Sequence, residues 1–391
     1  MRDYCASQTR GGPRLVVVNY AFDASLDSPE HVLDTYRALS GWCRAAADAG
    51  MTVRLVQAFT RDACIEDGQV EWVFRAVSRS RSLAVRGLHA AVTEHRPDVV
   101  HVNGLDSPIQ TRMLRAQLPA SAAIVVQDHA GTPPRSPLKG VVRRRLMRAV
   151  DAWLFTSSGQ ANEWVHGGYM RSSDVFDVMA ASTGLTPVDR AIARQMTGLV
   201  GTPALIWVAR LDANKDPHTV LDGIERLATQ FPNLTLTMIF QGGPLEDEVR
   251  RRVASSPNLV ARVRLIGATA HQELAAWYSA ADVFVLGSAQ EVCGYALIEA
   301  CACGAVPVVT DIPSFRSITG GGAIGRLWRR GDAHGLAEAV TSVHPRLDDE
   351  RARVEAHFAA ALSWSAVGRR ARAVYETVVD RRRSAERLEG A

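Results

Sequence analysis

Lysine is nearly absent from this 391-residue chain: of its 45 basic residues, all but Lys139 and Lys215 are arginine. Each lysine therefore invites a question. No apolar run approaches the roughly 20 residues needed to cross a bilayer, so no spanning helix is expected. The opening segment MRDYCASQTRGGPR lacks the apolar stretch of a secretory signal. Six cysteines, at 5, 43, 64, 293, 301 and 303, make no disulfide-like framework, and CAC at 301–303 has no second pair to complete a metal site. Neither sign of charge dominates, and a net +4 gives no reason to expect a nucleic-acid partner. No repeat of 20–50 residues is visible, and no Asp-x-Asp near a strand end suggests a metal site. These absences leave a soluble, reduced, cytoplasmic protein as the expectation. What is present is ordinary globular composition, 47% hydrophobic with 30 Gly and 17 Pro. The length exceeds one typical core and predicts two domains of roughly 150–200 residues.

Short apolar runs alternate with longer amphipathic stretches. Arg14–Asn19, Thr52–Val56, Asp98–Val102, Ala122–Val126 and Ala152–Thr156 read as strands. Between them lie helical patterns such as Val32–Ala49, stopped by Gly50, and Val77–His95, stopped before Pro97. A second series runs through Ala204–Val208, Leu234–Phe240, Val263–Ile266, Asp282–Leu286 and Val306–Thr310. Such alternation predicts an α/β protein of two doubly wound, Rossmann-like domains, with the carboxyl ends of both sheets facing a cleft. Ser, Thr, Gly and Pro collect over 180–203, which sets the expected domains at 1–190 and 191–362. An arginine-rich helical tail occupies 363–391.

Chemistry concentrates in two segments. EVCGYALIEACACG (291–304) follows a strand and opens a helix that Gly304 ends. Gly294 permits close backbone approach, and the amides at the helix start suit an anionic diphosphate. Glu291 and Glu299, eight residues apart, place carboxylates on either side of that anion site, where they suit vicinal hydroxyls of a sugar or ribose. Either glutamate alone would read as a solvated surface residue; the strand–turn–helix context favours the site. ARLDANKDP (209–217) also follows a strand, and its Arg210 and Lys215 are placed to clamp a diphosphate leaving group. The rarity of lysine favours function for Lys215, a compact point charge.

Together these segments resemble the pattern of glycosyltransferase family 4, retaining enzymes of GT-B fold. QGGPLEDEV (241–249), VRLIG (263–267), AAWYSAADVFVLGS (275–288) and SWSAVGRRARAVYE (363–376) agree in order and spacing. The resemblance is dense over roughly 200–376 and thin before it. It implies that Arg210 and Lys215 hold the diphosphate of a nucleotide-sugar donor, and that Glu299 binds the ribose. Glu291 would face the transferred sugar. The amides of Cys293, Gly294 and Tyr295 would contact sugar and phosphates, with Gly242, Gly243 and the 265–267 turn near the base. VVQDHAG (125–131) implies His129 near the anomeric centre. The last helix is expected to cross back to the first domain.

The implied reaction is metal-independent, same-face transfer from a nucleotide-sugar, uridine rather than guanosine, to a small-molecule, lipid-linked or polysaccharide acceptor. No cofactor is implied. Several features depart from the family. The loop after the first strand, YAFDASLDSPEH (20–31), has no glycine; DIPSFRS (311–317) replaces a Gly pair followed by Glu; STGL (182–185) replaces the usual interdomain turn. A nucleotide-sugar 2-epimerase of similar architecture and a non-catalytic nucleotide-sugar binder are the alternatives. The segment RRRLMRAV (143–150), with Lys139 just before it, reads first as a solvated helix face and second as a weak peripheral contact with an anionic membrane.

Overall fold

Runs such as Leu15–Val18 are apolar on both faces, so they can be satisfied only as strands covered by helices on each side. The computed structural model describes residues 12–77, 85–129 and 131–389, and the chain divides into two compact units. The first comprises residues 1–181 and 364–391, the second 182–363.

In the first unit the described residues form eight strands: β1 (Arg14–Asn19), β2 (Thr52–Phe59), β3 (Ala63–Glu66), β4 (Val70–Ala76), β5 (Val99–Asn103), β6 (Ala123–Gln127), β7 (Ala152–Phe155) and β8 (Val175–Asp177). They lie in the order β3-β4-β2-β1-β5-β6-β7-β8. All are parallel except β3, which pairs antiparallel with β4. Apolar clusters cover both faces of this sheet, one around Leu15, Val17, Trp42 and Phe74, the other around Val16, Val18, Val102 and Trp164. The helix Trp364–Glu389 contributes Val367, Tyr375 and Val378 to the first cluster. Inside it, Trp42 Nε1 donates to the Tyr375 hydroxyl (3.2 Å), which bonds His101 Nδ1 (2.6 Å).

The second unit holds a six-stranded parallel sheet: β9 (Ala204–Val208), β10 (Thr235–Ile239), β11 (Val263–Gly267), β12 (Val283–Leu286), β13 (Val306–Thr310) and β14 (Arg326–Trp328), ordered β11-β10-β9-β12-β13-β14. The chain leaves β9 to one side and β12 to the other, so their carboxyl ends form the switch point where open α/β sheets bind ligands.

Four details differ from the sequence reading. Residues 182–190, expected in the first domain, group with the second unit. There Val188 N–H donates to Ser279 Oγ (3.0 Å), and Asp189 caps the helix Arg190–Thr197, accepting from the amides of Ala191 and Ile192. The segment Val32–Ala49 is two helices, Pro29–Thr35 and Arg37–Asp48, broken at Tyr36, whose ψ of 51° is not helical. The Ser40 hydroxyl reaches back across this break to the Leu33 carbonyl (3.1 Å). The helix expected over 77–95 spans Arg86–Glu94, with 78–84 outside the described residues. The β3–β4 hairpin was not foreseen, because β3 is a short edge strand alternating between half-buried and exposed positions.

Candidate functional site

At the ends of β9 and β12 the second unit encloses a cavity of about 450 Å³. Its lining brings together Arg210, Lys215, Glu291, Cys293, Gly294, Tyr295 and Glu299, joined by Phe240, Gln241 and Thr269. Two loops that are far apart in sequence build it, and Asn214 ties them. Its side chain donates to Gln290 O (3.0 Å) and accepts from Gln290 N (3.1 Å), while its carbonyl accepts from Ala289 N (2.8 Å). Asp212 Oδ1 turns the first loop by accepting from the amides of Asn214 (3.0 Å) and Lys215 (3.1 Å). Asp216 follows in the left-handed region (φ 45°), a conformation Asp tolerates better than most residues. Its carboxylate accepts from Thr219 N–H and hydroxyl, starting the helix Pro217–Leu227.

Two charge arrangements result. Lys215 Nζ is paired directly with Glu291 Oε1, which also accepts from Ser288 Oγ (2.7 Å). Arg210 stands exposed at the rim, and its guanidinium has no ion-pair partner among the described residues. Glu299, only 7% exposed, accepts from His271 Nε2 (2.7 Å) and the Tyr278 hydroxyl (3.3 Å). Burial, with Glu299 alongside, raises the Tyr278 pKa well above its ordinary value. Between the carboxylates, the Cys293 thiol is pushed up to about 12 by burial, with Glu291 adding to the shift, so it stays protonated. It is a poor nucleophile.

Two glycines permit this geometry. Gly294 precedes the helix Tyr295–Ala302 with φ 57°, and a Cβ there would meet Ile318 and Phe315 at 2.9 and 3.1 Å. Gly243 has φ 147°, and a Cβ would come within 2.2 Å of the Leu211 carbonyl oxygen. Gly242 and Gly243 do not themselves line the cavity, although Gln241 does. They lie behind the Arg210 loop, with Leu211 N donating to Gly242 O (3.1 Å).

His129 belongs to the first unit and is not among the lining residues. Its Nε2 bonds Asn103 Oδ1 (2.6 Å) at the end of a row of amides. The strand registers place Gln57, Asn19, Asn103 and Gln127 side by side at the carboxyl ends of β2, β1, β5 and β6. Asn103 Nδ2 donates to Asn19 Oδ1 (3.3 Å), and Asn19 Nδ2 to Gln57 Oε1 (2.8 Å). The sequence reading missed this row, Asn214, Ser288, His271 and Tyr278. The row had a signal, since each of these four strands carries an amide at or near its carboxyl end. Of the other four, Asn214, Tyr278 and Ser288 fall within the quoted segments but are not singled out there, and His271 lies outside them.

Comparison with known proteins agrees with the motifs. Residues 189–355 match the family model described as glycosyl transferases group 1. The chain is similar to the D-inositol 3-phosphate glycosyltransferase of Pseudarthrobacter chlorophenolicus, 28% identical over 264 residues, covering 64% of this chain and 62% of that relative. It spans 54–62% of the length of the first curated relatives it matches. Among solved structures, a glycosyltransferase from Rickettsia africae superposes with a TM-score of 0.71 at 11% identity, over 94% of this chain and 99% of that one. Anabaena HepE in complex with UDP and glucose superposes with a TM-score of 0.61 at 16% identity, over 97% and 100%. The fold is thus of GT-B class, with two Rossmann-like units.

Proposed function

We propose, from the premise that the chain is a glycosyltransferase family 4-like protein with its group 1 region at residues 189–355, that it moves a sugar from a nucleotide-diphosphate donor to an acceptor with retention of configuration. The observation that carries this reading is the gathering of two cations, two carboxylates and a helix N-terminus in one cavity at the β9/β12 switch point.

The diphosphate enters between Arg210, Lys215 and the amides at the start of Tyr295–Ala302. Lys215, balanced by Glu291 in the free chain, turns to the incoming phosphates. Glu291 is released toward the hydroxyls of the transferred sugar. Glu299, oriented by His271 and Tyr278, receives the ribose hydroxyls, and the base lies toward Phe240 and Thr269. His129 attends the anomeric centre and the sugar's primary hydroxyl. In the chemical step the bond from the anomeric carbon to the diphosphate oxygen breaks. A bond to the acceptor oxygen forms on the same face, and the acceptor proton passes to the departing diphosphate. Cations aimed at that oxygen stabilise the charge that develops on it, without a metal. Uridine is preferred to guanosine as the base, in keeping with the UDP bound by the Anabaena protein. The acceptor is a hydroxyl compound: a small molecule, a lipid-linked sugar or a polysaccharide.

The test is nucleotide release and sugar fate with a panel of UDP- and GDP-sugars, with Glu299→Ala as control. Slow donor hydrolysis that requires Glu299 supports the transferase and names the donor. Donor conversion without nucleotide release would establish a 2-epimerase instead. Nucleotide binding with no turnover under any acceptor would leave a non-catalytic binder.

A further inference from the structure

The backbones that carry Lys215 and Glu291 are tied to each other. Asn214, the residue before Lys215, is hydrogen-bonded three times to residues 289 and 290, which lead into Glu291. Asp212 fixes the Lys215 amide. Just beyond β12, Gly287 lies against the carbonyls of Lys215 and Asp216, and a Cβ there would stand 3.1 Å from each oxygen. What remains to move is the two side chains, and in the empty cavity they are paired with each other. Their exposures are 19% and 15%. Charges so sheltered are screened less than surface ones, and withdrawing one partner leaves the other uncompensated. Ser288 Oγ donates to the same Glu291 oxygen (2.7 Å) and so supports its charge. Among the described residues lining the cavity, Arg210 and Lys215 are the cations. Half of the positive charge that a diphosphate needs is therefore already engaged.

Resting on the donor reading above, we propose that Glu291 is a latch. It competes with the diphosphate for Lys215, and so makes the site prefer the intact nucleotide-sugar to the nucleotide diphosphate left after transfer. Any diphosphate that takes Lys215 uncovers the Glu291 carboxylate. An intact donor offers the hydroxyls of its sugar to that carboxylate, and charge-assisted hydrogen bonds replace the ion pair. The nucleotide left after transfer has no sugar with which to do so. Its terminal phosphate, with a second ionisation near pH 6, also brings roughly one more negative charge than the sugar ester. Both differences turn Lys215 back to Glu291 and discharge the nucleotide. A glutamate that only contacted the sugar would strengthen donor binding and leave the free nucleotide untouched. The latch acts on both, in opposite directions.

Calorimetric titration of the full chain with UDP, UDP-glucose, GDP and GDP-mannose tests this in the parent, E291Q, E299Q and S288A. E291Q keeps the shape of the side chain and removes its charge. It should tighten the free diphosphate at least about fivefold and leave the sugar ester of the same base no tighter. E299Q, which alters the other carboxylate of the cavity, should tighten neither. S288A removes a bond that Glu291 needs once Lys215 leaves, and should weaken the free diphosphate about threefold or more. Free diphosphate held no more tightly by E291Q than by the parent would overturn the latch and leave the donor reading standing. Equal tightening of the diphosphate and its sugar ester, or tightening in E299Q as well, would show general charge relief and refute the discrimination. Failure of the parent to bind either UDP or GDP would remove the donor reading itself, and the latch with it.

Discussion

The two units use the carboxyl ends of their parallel sheets in opposite ways. The first lines them with neutral amides: Gln57, Asn19 and Asn103 are joined across strands and end on His129, with Gln127 next to Asn103 in register. The second places charge there: Lys215 against Glu291, Arg210 at the rim, and Glu299 buried under His271 and Tyr278. Hydrogen-bonding groups without charge can meet hydroxyls at little desolvation cost, whereas a diphosphate needs cations that stay partly solvated until it arrives. Two domains of one architecture thus carry different chemistry because residues at equivalent strand ends differ.

Acidification should separate the units most. Burial holds His89 and His95 down at about 4 and His101 at about 3, all three in the first unit. A histidine that is neutral when folded takes up its proton on unfolding once pH falls below about 6.5. The stability it contributes is therefore present above that pH and lost as pH falls toward the folded value, on the order of 1–2 kcal/mol per histidine by pH 5. Hydrogen exchange at pH 7 and pH 5 should show β1, β2 and β5 losing protection before β9 and β12. The reverse order would break the comparison.

Lys215→Ala should lower donor turnover by about 3–4 kcal/mol, the usual cost of removing one electrostatic stabiliser, with folding intact. Asn103→Ala, in the neutral row, should cost far less in donor binding, and equal losses in the two variants would contradict the assignment of charge chemistry to the second unit. Gly243→Ala should destabilise that unit by about 1–3 kcal/mol, since its Cβ would strike the Leu211 backbone. Denaturant melting monitored by nucleotide protection would read it. The smallest effect is expected of Asn214→Ala, about 1–2 kcal/mol from untying the two loops, seen as a raised KM for donor with little change in kcat.

Much of this was readable before the structure. Strands β1, β9 and β13 fall where apolar runs place them, and Arg210, Lys215, Glu291 and Glu299 meet because each sits just beyond or near the end of a parallel strand. The Lys215–Glu291 pair was not readable, because the two residues are 76 positions apart and only the fold decides their separation. His271 and Tyr278 share this reason: both matter only through Glu299, 28 and 21 positions away. Gly242 and Gly243 were read as ligand contacts from a Gly-rich turn. The turn is there, but its conformational freedom serves packing against Leu211. On the helix Pro137–Met147 the arginines were legible, whereas the outward turn of Leu138, Val141 and Val142 depends on Arg143 and Arg144 being taken inward.

The central claim, that the second unit's cavity holds a nucleotide diphosphate, is tested most directly by calorimetric titration of UDP and GDP into the parent chain, Glu299→Ala and Asn103→Ala. The account predicts binding of at least one nucleotide that falls by tenfold or more in Glu299→Ala and is unchanged in Asn103→Ala. Binding that survives Glu299→Ala undiminished, or that is lost in Asn103→Ala instead, would contradict it.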